Sequence, residues 1–354
     1  MTASMTAPPG VVDVHEHMAE LAKAGRRAVD WVMARRNPDG SLGNLEDGLK
    51  YHRAPWTFAL YGESDAGHAV CGWMRRNLLT PEMTLGGPPR RLLDGWSYRD
   101  STVIIGAQML HQHDLSIGLM PELLRCQDPV SGAFANDRLP DGSMSDEMDI
   151  PYACGPGFAC LLTGHLDAAR RVADFLQAIY DAQQELPERF FCFWSRSRQA
   201  PIRYGDPGFQ RRFVVENQQN EMQRWTIGGI AAGFLGRLYL ADPQERYLRL
   251  ARDYQSFSMA ATDDQFSYPS ACKSSWGAAL LYQITGEPQY LAWLGRFARW
   301  YIDSQEPDGF WHPWVEKSQG DIIEITLEYA MHIAILTGAV SSRPAALTDS
   351  SGMS

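Results

Sequence analysis

Side chains able to move protons, hold charge or stack on a ligand gather at six places in the chain, each at the start of an apolar stretch. The first holds Tyr51, His52, Arg53 and Trp56; the second holds Trp96, Tyr98, Arg99 and Asp100. Asp146, Glu147, Asp149 and Tyr152 form the third, and Glu216, Asn217, Asn220, Glu221, Arg224 and Trp225 the fourth. Tyr268, Lys273 and Trp276 stand at the fifth, and Asp321, Glu324 and Glu328 at the sixth. Neighbouring carboxylates raise each other's pKa, and apolar surroundings raise it further, which is how a carboxylic acid stays able to donate a proton near neutral pH. On that ground Asp149, beside Asp146 and Glu147, is the first candidate acid, with Asp100 and Glu221 as further catalytic candidates. Aromatic faces line ligand pockets and stabilise cationic character. The aromatic members of the six groups, with His52, Arg99, Arg224, Lys273, Glu324, Glu328 and Trp311, are read as substrate-binding.

An ordinary role competes with each of these. An Asp before a helix caps it, stabilising by about 1 kcal/mol. Asp100 before Ser101-Thr102 and Asp149 before Ile150-Pro151 both fit, with Pro151 in the favoured first turn. His332, one turn after Glu328 in an apolar stretch, reads either as a satisfied core imidazole or as a proton shuttle paired with Glu328. What points to chemistry is the clustering of acids and aromatics at the same kind of position.

The elements that position these groups are helices. Small-residue apolar stretches cover 53–62, 101–113, 151–164, 225–241, 273–286 and 325–338, and read as buried helices. Amphipathic stretches alternate with them at 14–36, 65–77, 117–127, 166–183, 244–258 and 289–305. Strand-like alternation is confined to 189–194 and 209–215. A turn pattern of Gln, Pro, Gly and an aromatic recurs at 127–134 and 305–311, more weakly at 37–42, and loosely around Gln183.

Six outer–inner pairs describe an all-α (α/α)6 toroid. The chain resembles two related groups with that fold: terpenoid cyclases with protein prenyltransferases, and the six-hairpin glycosidases. The Gln–Gly–aromatic turns resemble the glutamine–tryptophan motif of squalene-type cyclases. In class II cyclases an Asp-x-Asp-Asp motif supplies the proton donor; the matching segment is Asp146-Glu147-Met148-Asp149, with Met148 at the donor's place. The prenyltransferase zinc ligands are matched only by Cys272, with Ser270 and Thr326 at the other two places, so the resemblance implies no metal. The paired acids of the unsaturated-uronide hydrolases are matched in position by Asp100 and Asp149. The domain so expected spans 14–338, between a flexible segment 1–13 and a disordered Ser-rich tail 339–354.

The 354 residues carry a net charge of −10, which argues against nucleic acid as a partner. No uncharged apolar run of membrane-spanning length is evident, and no phosphate-binding Gly-rich loop or Gly-x-Ser-x-Gly elbow, so neither a membrane span nor a nucleotide cofactor is expected. The six cysteines form no CxxC pair and the N-terminus is not a secretory signal, which together favour a reducing, cytoplasmic setting. The expected function is metal-free and cofactor-free cyclisation or isomerisation of a small, mostly apolar natural product of terpenoid or polyketide kind. The alternative is a sugar-acting hydrolase, lyase or epimerase using paired carboxylates.

Overall fold

A computed structural model describes residues 14–43, 51–86, 96–139, 141–218, 223–267, 272–313 and 318–342, the side chains of residues 14–16 and 96 excepted. Among these residues are twelve α-helices, in chain order α1 (Val14–Met33), α2 (Ala54–Leu60), α3 (Ser64–Asn77), α4 (Trp96–Met109), α5 (His113–Leu124) and α6 (Ile150–Leu162). They continue with α7 (Leu166–Asp181), α8 (Ile227–Ala241), α9 (Glu245–Met259), α10 (Cys272–Thr285), α11 (Pro288–Ser304) and α12 (Gln319–Ser341).

The even-numbered helices form a closed inner ring. α2 packs on α4, α4 on α6, α6 on α8, α8 on α10, α10 on α12, and α12 on α2. Each also packs on the outer helix that follows it, with α12 returning to α1. Periodicity explains the division. α7 buries Val172, Phe175, Leu176 and Ile179 on one stripe, whereas α6 and α8 are buried on nearly every side. Small residues set the spacing inside the ring: a Cβ at Gly229 of α8 would lie 2.2 Å from the Ser274 Cα of α10.

The repeated turns staple the outer helices together. Gln127 Nε2 donates to Gly132 O at 2.8 Å and to Ala168 O of α7 at 2.9 Å, and Arg171 donates to its Oε1. Gln305 Nε2 does the same with Gly309 O and Ala24 O of α1, both at 2.8 Å, with Arg27 on its Oε1. Gly132 (φ 83°) and Gly309 (φ 101°) take the left-handed conformation with their Cα hydrogens against the backbone of the next outer helix. A further copy at 79–85, not evident in the sequence, uses Met83 at φ 55° and bridges Leu79 to Leu85.

Five short strands lie on the segments that lead from outer to inner helices. β1 (Glu147–Asp149), β3 (Phe193–Ser195) and β4 (Ala200–Pro201) form one antiparallel sheet in the order β1-β3-β4; β2 (Arg189–Phe191) pairs with β5 (Val214–Glu216). They sit at the end of the ring where the inner helices begin. α12 runs to Ser341, three residues into the expected tail; residues 1–13 and 343–354 lie outside the described residues. α12 is long and apolar enough to cross a membrane although Glu324 and Glu328 interrupt it, and it is two-thirds buried over its most apolar stretch, as an inner helix must be.

Candidate active site

A cavity lies on the ring axis and takes side chains from all six inner helices: Trp56 of α2, Tyr98, Ser101, Thr102 and Ile105 of α4, Gly155 and Phe158 of α6, Ile230 of α8, Lys273 and Trp276 of α10, and Met331 and His332 of α12. Its empty volume, mouth included, is about 370 Å³. One part of the wall is aromatic: the Trp56, Phe158 and Trp276 rings meet pairwise at 5.6, 6.4 and 5.7 Å between centroids.

A charged cluster lies beside the cavity and reaches its wall through Lys273. Lys273 Nζ donates to Glu328 Oε1, and Arg53 places Nη2 3.3 Å from Glu328 Oε2 while its Nη1 binds Glu324. Burial pushes the Glu328 carboxyl up, but Arg53 and Lys273 overrule it and hold it well below the usual carboxylate range. Burial works against the Lys273 charge, yet Glu328 and then Tyr98 keep the ammonium protonated, with its pKa above the ordinary lysine value. His332 Nε2 is 4.0 Å from Glu328 Oε1, one turn along α12. Burial pushes this imidazole down to about 3, so it is neutral at physiological pH. Both its nitrogens are buried without a hydrogen-bond partner, although the ring lines the cavity.

Among the described residues one group of three side chains has metal-ligand spacing: Cys272, Glu328 and His332, with ligand atoms within 4.8 Å of one another. The set fits a metal poorly. Lys273 Nζ already donates to Glu328 Oε1, the oxygen 4.0 Å from His332 Nε2.

Of the residues expected to bind substrate, Trp56, Tyr98, Lys273 and Trp276 line the cavity, and Glu324 and Glu328 belong to the charged cluster beside it. Among the described residues the expected catalytic acids do not line it. Asp149 is buried with both oxygens engaged: Oδ1 accepts from Tyr152 N at 2.8 Å as the cap of α6, and Oδ2 from Arg224 Nη1 at 2.7 Å. Burial raises its pKa, with Arg224 opposing, but its position is that of a cap and an ion-pair partner. Asp146 accepts from Ser195 Oγ and Ser197 N, both at 2.7 Å, and ties the strands together. Glu147 pairs with Arg212 at 2.9 Å near the surface, and Asp100 pairs with Arg99 at 3.0 Å.

Tyr51, His52 and Arg99 line a separate crevice with Met74, Leu78, Leu85 and Val103. Tyr152 supports Tyr98 from behind, at 5.6 Å between rings. Trp225 lies in the core, and Trp311 packs on Tyr301 and Tyr329 under its turn. Glu221 and Tyr268 lie outside the described residues, as does the Trp96 side chain. Ser101, Thr102, Gly155, Phe158 and Met331 were missed because they sit one or more turns inside the helices. Spacings of three and four from Tyr98, Tyr152 and Glu328 would have found most of them.

No known family profile matches the sequence, and no curated protein matches it either. Solved structures do. A D-mannose isomerase superposes with a TM-score of 0.66 at 13% identity, covering 93% of this chain and 99% of that one. A GH76 α-mannanase, BT2949 of Bacteroides thetaiotaomicron, gives 0.62 at 10% identity, covering 93% and 100%. A variant of the type II terpene cyclase MstE from Scytonema, holding geranylgeranyl dihydroxybenzoate, gives 0.57 at 11% identity, covering 92% and 99%. The fold is that of the α/α toroids, to which both resemblances seen in the sequence lead.

Proposed function

We propose that the chain is an isomerase that moves a proton on a small carbonyl compound of sugar size held in the axial cavity, without a metal. The observation that carries this reading is His332: a neutral, unpartnered imidazole facing the cavity, one turn from a carboxylate held between two cations. A neutral imidazole is ready to accept a proton from carbon next to a carbonyl. As the imidazolium forms, Glu328 stabilises it, while Lys273 offers positive charge to the oxygen on which negative charge develops. Because burial disfavours the charged ring, the imidazolium gives up its proton readily, by exchange with solvent at the mouth or to the neighbouring carbon.

Two observations favour this over cyclisation of a long apolar chain. The cavity is small for an isoprenoid, and among the described residues that line it no carboxyl stands ready to protonate an alkene. The aromatic wall suits stacking on a sugar face as well as it suits a cation. The six cysteines, all buried and unpaired, accord with a reducing compartment.

The test uses D-mannose and D-fructose as probes, since a D-mannose isomerase shares the fold, with geranylgeranyl dihydroxybenzoate as the competing substrate. Aldose–ketose interconversion should be seen with wild type, and His332→Gln should lower it by about 100-fold or more, the scale of losing a general base. Cyclisation of the isoprenoid with no action on the sugars would reverse the assignment.

A further inference from the structure

We propose that Tyr98 is a second proton carrier, giving its phenolic proton to the substrate's carbonyl oxygen from α4 while His332 takes the proton from carbon. The inference rests on the isomerase reading above. His332 and Tyr98 stand on helices that are not neighbours in the ring, α2 lying between them, so the two reach the cavity from different sides.

The Tyr98 ring is held in place. It packs at 5.6 Å on Tyr152 of α6, and it lies over Gly155, where an added Cβ would come within 3.0 Å of its Cδ2. Its carbonyl accepts from Ser101 Oγ and Thr102 Oγ1, both at 2.7 Å, which stiffens the first turn of α4. The groups facing the ring are Arg53 from α2, whose guanidinium is 5.8 Å from the ring centroid, Tyr152 from α6, and Lys273 from α10, which interacts with the phenol electrostatically. Both cations are held in place by Glu328, with Arg53 bound to Glu324 as well. Lys273 itself is a poor donor, because Glu328 holds its proton in place.

The step balances. The substrate C–H bond breaks as an N–H bond forms on His332, and the Tyr98 O–H bond breaks as the substrate O–H forms, leaving an enediol between an imidazolium and a tyrosinate. At the neighbouring carbon the imidazolium N–H bond breaks as the new C–H bond forms, and the tyrosinate takes the proton of the other enediol hydroxyl as its oxygen becomes the new carbonyl, with no net gain or loss of electrons.

The experiment compares wild type, His332→Gln, Tyr98→Phe and a variant with 3,5-difluorotyrosine at position 98, on D-mannose and D-fructose across pH. The expected result is that Tyr98→Phe lowers kcat by about 100-fold or more with a KM within a few-fold of wild type. The difluorotyrosine protein should turn over, with the alkaline limb of its kcat/KM profile moved to lower pH. Near-wild-type turnover of Tyr98→Phe beside an inactive His332→Gln would overturn the role of Tyr98 and leave the isomerase reading standing. A wild type inert on both sugars, or a fully active His332→Gln, would overturn that reading and this inference with it. If Tyr98→Phe does not fold, the difluorotyrosine protein decides, and an unmoved alkaline limb rejects the proposal.

Discussion

At the scale of single residues, the same chemical type does different work according to what surrounds it. Asp149 and Glu328 are both buried carboxylates, yet one closes a helix end and the other sits beside the cavity. Asp149→Asn keeps the cap, since Asn caps about as well as Asp. It takes the carboxylate from Arg224, and losing a hydrogen bond between charged groups costs about 2 kcal/mol. The melting temperature should therefore fall while kcat at a permissive temperature stays at the wild-type value; a large loss of kcat with an unchanged melting temperature would restore Asp149 as the acid. His332 makes a prediction in pH. In the unfolded chain its imidazole takes a proton below a pH of about 6.5, and in the folded protein only near 3. Between those values the unfolded state binds the extra proton, so stability declines as pH falls. Glu328, held low by Arg53 and Lys273, adds to the decline below the usual carboxylate range. Melting temperatures from pH 7 to 4 should fall less for His332→Gln than for wild type; parallel slopes would mean that the ring is not buried neutral. The sequence made both Asp149 and His332 visible as candidates. A cap and a catalytic acid look alike in it until Arg224, 75 residues away, is seen to claim the second oxygen of Asp149.

At the scale of elements, the apolar and amphipathic periodicities located all twelve helices, and the largest errors fall at the starts of α4 and α12. α4 begins at Trp96 rather than near Ser101 because Ser97 and Arg99 find partners at Ala135 O and Leu85 O, so a polar first turn is satisfied. α12 begins at Gln319 rather than near Ile325 because Ser318 and Asp321 form a capping box. Those added turns carry Tyr98 and Glu324, which is why the site was only partly legible. β1 and β4 were not legible at all: strands of two or three residues have no period, and β1 pairs with residues nearly fifty positions away. The Gln turns were read correctly as repeats, and their geometry gives a test. At Gly309 a Cβ would lie 2.8 Å from Arg27 O in a left-handed backbone, and at Gly132 2.4 Å from Arg171 O. Each Gly→Ala change should destabilise by about 1–3 kcal/mol, measured by urea unfolding, without altering turnover. The control Gly142→Ala, equally left-handed but with open space around its Cα, should cost less. Equal losses at all three would show that the staples do not bear on the outer ring.

At the scale of the molecule, the inner ring closes through α12 against α2, and Thr57 Oγ1 donating to Leu327 O at 3.0 Å is one of the bonds across that seam. Closure leaves no helix pair able to part alone, so unfolding should be one cooperative transition with equal calorimetric and van't Hoff enthalpies; two separated transitions would contradict a single domain. Closure also brings six helices to one axis, and from it follows the central claim, that His332 moves a proton on a substrate held there. Activity should survive exhaustive chelation, because Lys273 holds the oxygen a metal would use. The most direct measurement is the mass of the product formed from D-mannose in D2O. Proton transfer through an enediol predicts solvent deuterium at carbon in the ketose made by wild type, and its loss in His332→Gln. Product formed without deuterium by an enzyme that chelation inactivates, or equal labelling by wild type and His332→Gln, would contradict the account.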